Sequence, residues 1–180
     1  MTYCVGLMLN KGMVFMSDTR TNAGVDNIST FRKMFSWDVP GDRSITVMTA
    51  GNLATTQAVI SLLEERSKAV QDRNPSILQA ESMFQVATLI GDTLKEVISD
   101  HAEEGQRADS GFNATILVGG QIKGGAHRLF MIYPEGNFIE ATEDSPFFQI
   151  GETKYGKPIL VRTYDAGMSF SEAIKLLLVS

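Results

Sequence analysis

The sequence predicts an α+β fold, a four-layer α/β/β/α sandwich in which two antiparallel β-sheets are flanked on their outer faces by two pairs of helices. The chain has 180 residues, which suits one domain with a sizeable core. Its apolar periodicity gives four strands, two helices, about four strands and two helices. That order lacks the strand–helix alternation of a parallel sheet, and runs of strands followed by runs of helices are typical of α+β proteins.

The N-terminal half begins with strand-forming runs. Turn residues at Asn10-Lys11-Gly12 join the first two runs as a β-hairpin, and the polar residues 18–30 predict a loop. Gly51-Asn52 ends the strands, and apolar residues at helical spacing follow. Asn74-Pro75-Ser76 separates two helices. The predicted strands cover residues 3–9, 13–17, 31–37 and 44–50, and the predicted helices cover 53–70 and 77–102.

The C-terminal half repeats this order with shorter strands. Pro134-Glu135-Gly136-Asn137 predicts the turn of a second hairpin, and Ser169 or Asp165 is a candidate cap for the last helix. The chain ends on an apolar helical pattern without a C-cap signal, so we expect residues 1–180 to form one domain whose C-terminal segment follows Ser180. The predicted strands cover 112–118, 128–133, 138–141 and 147–150, and the predicted helices cover 153–162 and 170–180.

Composition argues against several classes of function. The net charge of −5 disfavours nucleic-acid binding, which needs a basic face. One cysteine allows no intramolecular disulfide, and the distant His101 and His127 are poor material for a metal site or a Ser-His-Asp site. No apolar run reaches the ~18 residues of a membrane span, and the N-terminus does not resemble a signal peptide. We therefore expect a cytoplasmic protein with no cofactor, metal, nucleic acid or membrane partner.

Thr2 is the first candidate catalytic residue. Methionine aminopeptidases remove Met1 when the next side chain is small, which leaves a threonine with a free α-amine. That amine has an ordinary pKa of about 7.7–8.0, so a useful fraction is neutral at pH 7 and can accept the hydroxyl proton. An N-terminal threonine is therefore an activated nucleophile. Small residues are common at position 2, so Thr2 alone is not a specific signal.

Three further residues complete a catalytic group. Asp18 ends the second strand of the predicted hairpin, which places it beside Thr2. Strand alternation in FRKMF puts Lys33 on the side of two phenylalanines, so we expect it to point inward, where lysine is rare unless paired. Gly51 stands at a strand-to-helix corner, where backbone N–H groups bind oxyanions. Each alone fits an ordinary turn, an exposed lysine or a routine corner; together they supply a nucleophile, a charge pair and an oxyanion hole.

The ordered set resembles the proteasome β-subunit family of N-terminal nucleophile hydrolases. SDTRTNAGVDNISTFRKM and IGETKYGKPIL resemble in particular its bacterial ancestral β-subunit (Anbu) group. The resemblance covers essentially the whole chain and implies the N-terminal nucleophile hydrolase fold, which is the four-layer sandwich predicted above. The matching segments are TYCVGLMLNKGMVFMSDTRTNAG, FRKMF, TAGNLA, NATILVGG and FQIGETKYGKPIL.

The resemblance also implies residue roles. The catalytic group consists of a nucleophile, a charge pair and a backbone oxyanion donor. The substrate group consists of a segment that pairs with an extended peptide by strand addition and a residue that shapes the specificity pocket. The implied catalytic residues are Thr2, Asp18, Lys33 and Gly51, and the implied substrate-binding residues are Thr21, Gly24 and Ala54.

Two departures from the family pattern stand out. A Ser-Gly motif in proteasome subunits supplies a hydroxyl near the nucleophile, and here Gly151, Glu152 and Thr153 replace it. A carboxylate at this place could alter the charge of the site. The family also carries an aspartate and a serine after its last helices, which help to position the N-terminal amine, and these would lie beyond Ser180.

The resemblance implies a self-compartmentalising threonine peptidase that cleaves amide bonds through an acyl-enzyme. Because the family assembles into rings or open helical turns, we expect further copies of the chain and a peptide or amide substrate as partners, with any unfoldase partner unknown. Two alternatives stay open: an amidase acting on a non-protein amide, and a catalytically inactive assembly subunit. Inactive subunits usually lose the threonine or the lysine, and Thr2 and Lys33 are both present.

Overall fold

Residues 2–22, 28–68, 76–103 and 110–180 are described by a computed structural model, and they form strands and helices in the predicted order. A short 3₁₀ turn at Ser110–Phe112 precedes the seventh strand. The strands are β1 (Tyr3–Leu9), β2 (Gly12–Ser17), β3 (Arg20–Asn22), β4 (Ile28–Thr30), β5 (Met34–Val39), β6 (Arg43–Gly51), β7 (Ala114–Ile122), β8 (Arg128–Ile132), β9 (Phe138–Glu140) and β10 (Phe147–Gly151), and the helices are α1 (Leu53–Lys68), α2 (Met83–Glu103), α3 (Gly156–Thr163) and α4 (Phe170–Val179).

Two antiparallel sheets form the middle of the molecule, as predicted. The first has the strand order β10-β1-β2, so the N-terminal strand lies between two neighbours. The second has the order β5-β6-β7-β8-β9, and β3 and β4 form a separate small hairpin. In the first sheet Cys4 pairs with Ser17 of β2, and Tyr3 pairs with Gly151 of β10. The start of β1 therefore lies where β2 and β10 end.

Three buried apolar layers separate the sheets and helices, which confirms the four-layer α/β/β/α sandwich. Because successive side chains of a strand point to opposite faces, Cys4 of β1 faces the second sheet and Val5 faces α3 and α4. Thr2 precedes Cys4 by two positions and continues its face, so it points toward the second sheet. The layers contain, in turn from the α1–α2 side, Val59, Ile90 and Val118; Cys4, Met48 and Leu117; and Val5, Leu7 and Leu177.

Several predicted boundaries were wrong. Residues 18–30, predicted as a loop, contain β3 and β4, which have no apolar alternation to reveal them. The strand predicted over 31–37 begins only at Met34, so Lys33 lies just before it. The strand predicted over 112–118 runs from Ala114 to Ile122, and α3 begins at Gly156.

The start of α2 shows why the boundary at residue 77 was wrong. The Ser82 hydroxyl accepts the N–H of Gln85, and the Gln85 side chain accepts the N–H of Glu81. The first bond satisfies an N–H of the first turn and the second ties the preceding residue to that turn, so the helix begins at Met83. The predicted helix end at 69–70 and the predicted break at Asn74-Pro75 lie outside the described residues. None of the helices in the described part of the chain is long and apolar enough to cross a membrane.

The last helix is fixed by a capping box. The Ser169 side chain accepts the N–H of Glu172, and the Glu172 carboxylate accepts the N–H of Ser169. Ser169 is thus the N-cap, one of the two candidates from the sequence. The buried side of α4, with Ala173 and Leu177, packs toward β1.

We expect Ser169→Ala to lower the free energy of unfolding by about 1 kcal/mol, because it removes the hydroxyl that accepts the Glu172 N–H and donates to the Glu172 carboxylate. Ser171→Ala is the matched control, since Ser171 is an exposed serine in the same first turn; its effect should stay within about 0.5 kcal/mol. Urea denaturation measures both values. Equal values for the two variants would show that the capping box does not stabilise α4.

Candidate active site

Asp18 lies beside the N-terminus of β1 because the β1–β2 hairpin returns it there. The N–H of Asp18 donates to the Tyr3 carbonyl at 2.9 Å, and the N–H of Tyr3 donates to Asp18 Oδ1 at 2.8 Å. The Asp18 carboxylate therefore binds the peptide that directly follows Thr2. This is the placement that the turn at Asn10-Lys11-Gly12 predicted.

Lys33 reaches the same carboxylate from the second sheet. Its Nζ donates to Asp18 Oδ1 at 2.7 Å, to Asp18 Oδ2 at 2.6 Å and to the Arg20 carbonyl at 2.6 Å. Lys33 is 6% exposed, so its charge is held inside the protein. Since Asp18 Oδ1 accepts from both Lys33 Nζ and the Tyr3 N–H, one oxygen atom joins the ammonium to the start of β1.

The charge pair shifts the titration of Asp18. Burial by itself would raise the pKa of the carboxyl, but the hydrogen bonds from Lys33 and from the N–H groups of Tyr3 and Arg20 outweigh it and lower that pKa. Asp18 is therefore ionised at neutral pH. The Asp18 carboxylate is a fixed hydrogen-bond acceptor of the site and has no proton to donate.

The strand-to-helix corner is built by Gly51 and Asn52. Gly51 has φ +118°, and a Cβ there would overlap the Asn113 carbonyl oxygen and stand 2.7 Å from Ala114 Cα. The neighbouring backbone at Asn113 and Ala114 thus requires this glycine. Asn52 begins α1 as its N-cap, because its Oδ1 accepts the N–H of Thr55 at 3.1 Å.

The N–H of Gly51 points to the Lys33 side of the sheet. The N–H of Thr49 donates to the Lys33 carbonyl at 3.0 Å. Alternate residues of a strand direct their N–H groups to the same side, so the Gly51 N–H points past the start of β5 beside Lys33. A donor in this position can stabilise an oxyanion that forms near Lys33.

The structure describes two of the three predicted substrate-binding residues. Thr21 lies in β3, which begins at Arg20, the residue whose carbonyl accepts Lys33 Nζ. Ala54 is exposed in the first turn of α1, three residues beyond Gly51. Gly24 lies outside the described residues.

Cys4 lies beneath the site and has no role in its chemistry. Its Sγ contacts the Thr49 carbonyl oxygen at 3.7 Å, and the residue is fully buried. Burial, and after it the negative charge of Asp18, raises the pKa of the Cys4 thiol to about 12, against the opposing effect of Lys33. The thiol is therefore protonated at neutral pH and is a poor nucleophile.

Sequence reasoning missed the way in which the end of β10 contacts Thr2. The N–H of Glu152 donates to the Thr2 carbonyl at 2.7 Å, and the Gln149 side chain donates to the Glu152 carbonyl at 2.8 Å. Glu152 Oε1 accepts the N–H of Lys154, so this carboxylate oxygen is used within its own turn. Only the pairing of Tyr3 with Gly151 reveals these contacts, and that pairing leaves no local pattern in the sequence.

No three His, Cys, Asp or Glu side chains within the described ranges are arranged to hold a metal ion.

Comparison with known proteins supports one family. A sequence model described as proteasome subunit matches residues 2–179. The structure of Anbu (ancestral beta-subunit) from Yersinia bercovieri is 48% identical, with a TM-score of 0.89, and the match covers 98% of this chain and 72% of that one. The helical assembly of the Anbu complex from Pseudomonas aeruginosa is 45% identical, with a TM-score of 0.90 and the same coverage.

A third solved structure agrees. The Anbu (Gly-1) mutant from Hyphomicrobium sp. strain MC1 is 50% identical, with a TM-score of 0.89, and the match covers 99% of this chain and 72% of that one. The search of curated proteins gave no significant match.

We expect Lys33→Met to raise the pKa of Asp18, because it removes the largest interaction that lowers that pKa. In the wild type the folded pKa lies below the unfolded value of about 3.9. The stabilisation from Asp18 is therefore complete well above the unfolded value and is lost as the pH falls through the lower folded value. In Lys33→Met, acid should therefore lower the free energy of unfolding less through Asp18 than in the wild type, or raise it.

Carbon-13 NMR titration of the Asp18 carboxyl measures the shift directly. Arg32→Met is the control, since Arg32 is exposed and donates to the Met34 carbonyl; it should leave the Asp18 titration unchanged. An unaltered Asp18 pKa in Lys33→Met would show that the pairing with Lys33 does not cause the lowered pKa.

Proposed function

Since the chain belongs to the proteasome subunit family, we propose that it is an N-terminal threonine peptidase whose nucleophile is Thr2. The observation that carries the proposal is the Asp18 carboxylate, which binds both Lys33 Nζ and the N–H that follows Thr2. This geometry holds a buried positive charge beside the first residue of the mature chain. The proposal requires removal of Met1, because only then does Thr2 have a free amine.

Catalysis divides between the groups of the site. The Thr2 amine takes the hydroxyl proton while Oγ1 attacks the substrate carbonyl carbon. The charge of Lys33 favours the developing threonine oxyanion, and the Gly51 N–H stabilises the negative oxygen of the tetrahedral intermediate. The carbon–nitrogen bond then breaks, the leaving amine takes a proton from the Thr2 ammonium, and an ester on Oγ1 remains. Water, activated by the same amine, hydrolyses that ester.

A peptide is the substrate class that we propose. The short strand β3 begins at Arg20, whose carbonyl accepts Lys33 Nζ, so an extended backbone along β3 would bring its carbonyl near the charge pair. Exposed Ala54, in the first turn of α1 just beyond the corner, has a small side chain that would leave space for a substrate side chain. Thr21 and the Gly24 segment are proposed as the backbone partners of that peptide.

We also propose that the protein assembles with copies of itself. The Pseudomonas aeruginosa relative was solved as a helical assembly. Here α3 and α4 expose large apolar side chains, Val161 at 63% and Leu178 at 72%, which suits burial against another chain. Electron microscopy of the purified protein should show a ring or an open helical particle; a monomer at micromolar concentration would contradict this proposal.

We expect Thr2→Ala to lower kcat for peptide cleavage by at least about 1000-fold, because the nucleophile is lost. Thr163→Ala, at an exposed position in α3, is the control and should keep wild-type activity. Intact-mass analysis should show that the wild-type chain begins at Thr2. Full activity in Thr2→Ala, or Met1 retained in an active enzyme, would overturn the mechanism.

A substrate panel separates the alternatives. Fluorogenic peptides and small non-peptide amides are tested in parallel, and cleavage of peptides is the expected result. Cleavage of the small amides alone would indicate an amidase. Absence of both cleavage and Thr2 labelling by a threonine-directed electrophile, in the processed and assembled protein, would indicate an inactive subunit.

A further inference from the structure

We propose that Gly151 and Gln149 are positioning residues for the nucleophile, and this inference rests on the proposed role of Thr2. They act from the β10 side on the backbone carbonyl of Thr2, opposite the Asp18 carboxylate, which binds the N–H of the same peptide group. Neither residue needs to touch a substrate for this role.

The absence of a side chain at Gly151 lets β10 approach Thr2. Gly151 has φ +86°, a conformation that favours glycine. A Cβ at this position would overlap the Thr2 carbonyl oxygen, stand 2.6 Å from the Thr2 carbonyl carbon and stand 3.1 Å from Thr2 Cβ. Any side chain here would therefore displace Thr2 itself.

This close approach forms a hydrogen bond that a wider gap would break. The N–H of Glu152 donates to the Thr2 carbonyl at 2.7 Å. The peptide between Glu152 and Thr153 is in turn held by Gln149, whose side-chain nitrogen donates to the Glu152 carbonyl at 2.8 Å. The turn after β10 is thus tied to its own strand while it holds Thr2.

The two contacts fix the plane of a single peptide group. The peptide between Thr2 and Tyr3 donates its N–H to Asp18 Oδ1 and accepts the Glu152 N–H on its carbonyl. Because a peptide group is planar, bonds on its two opposite sides fix its orientation. Only two rotations of Thr2 then remain to aim the hydroxyl, about its Cα–C and Cα–Cβ bonds.

Gly151→Ala tests the steric part of the proposal. We expect kcat to fall roughly 100-fold with KM unchanged, because a displacement of about 1 Å at a nucleophile costs about that much. Gly136→Ala is the matched control: Gly136 has φ +84°, and its Cβ would stand 2.8 Å from the Gly91 carbonyl oxygen, away from the site. It should lose stability and keep its kcat.

Gln149→Met tests the hydrogen-bonded part in a variant that keeps its fold. Methionine fills a similar volume but has no donor for the Glu152 carbonyl. Gln149 Oε1 is buried and has no hydrogen-bond partner among the described residues, so losing that oxygen orphans no donor, and the Glu152 carbonyl belongs to a half-buried residue that water can reach. We expect kcat to fall less than in Gly151→Ala, with KM and the melting temperature unchanged.

Hydrogen–deuterium exchange over residues 150–154 gives a readout that does not depend on activity. The Glu152 N–H should exchange slowly in the wild type and faster in Gly151→Ala and Gln149→Met, but not in Gly136→Ala. Wild-type kcat together with slow exchange in Gly151→Ala would overturn the positioning role. If the wild type is as inactive as Thr2→Ala, the proposed function fails, and the exchange data still decide whether β10 holds Thr2.

Discussion

The Asp18 carboxylate is the contact on which the rest of the site depends. It accepts the N–H of Tyr3, the N–H of Arg20 and two contacts from Lys33 Nζ, so it joins β1, β3 and the residue before β5. An amide in its place would offer one acceptor oxygen and no charge. Burying an ion pair costs desolvation energy and is weak evidence for stability. The ion pair is better explained by the geometry that it imposes on the site than by a gain in stability.

Each sheet supplies half of the candidate site. Thr2 lies just before β1 and Asp18 just after β2 of the three-stranded sheet, while Lys33 directly precedes β5 and Gly51 ends β6 of the five-stranded sheet. Their separation is set by the apolar layer between the sheets, in which Cys4 of β1 packs with residues of β6 and β7. Because protein interiors are close-packed, a change of volume in this layer would alter the distance between Thr2, the proposed nucleophile, and Gly51, the proposed oxyanion donor. Catalytic geometry and core packing are thus linked here.

The sequence was informative where a local pattern carried the signal. The turn residues of the first hairpin placed Asp18 beside Thr2, and the Gly51-Asn52 break marked the corner that begins α1. The burial of Lys33 was predicted from strand alternation, yet Lys33 lies before β5 and is buried because it pairs with Asp18. This pairing exists only when β1, β3 and the residue before β5 come together, so the pattern of a single strand cannot predict it.

The contacts of β10 were beyond sequence reasoning for a related cause. Gly151 and Gln149 act on Thr2 through strand pairing between the two ends of the chain, and pairing register depends on the assembled sheet. The small hairpin of β3 and β4 was missed because its polar residues have no alternation. Asn52 could have been found, since an asparagine before a helical pattern is an ordinary N-cap signal.

The position of β1 between β2 and β10 has a consequence for the life of the protein in a cell. Synthesis produces Thr2 first and β10 much later, and the Thr2 carbonyl has no partner until the residues around Glu152 have been made and folded. The nascent chain therefore carries the proposed nucleophile long before it carries the strand that positions it. Under this proposal the site is complete only after long-range pairing has joined β10 to β1.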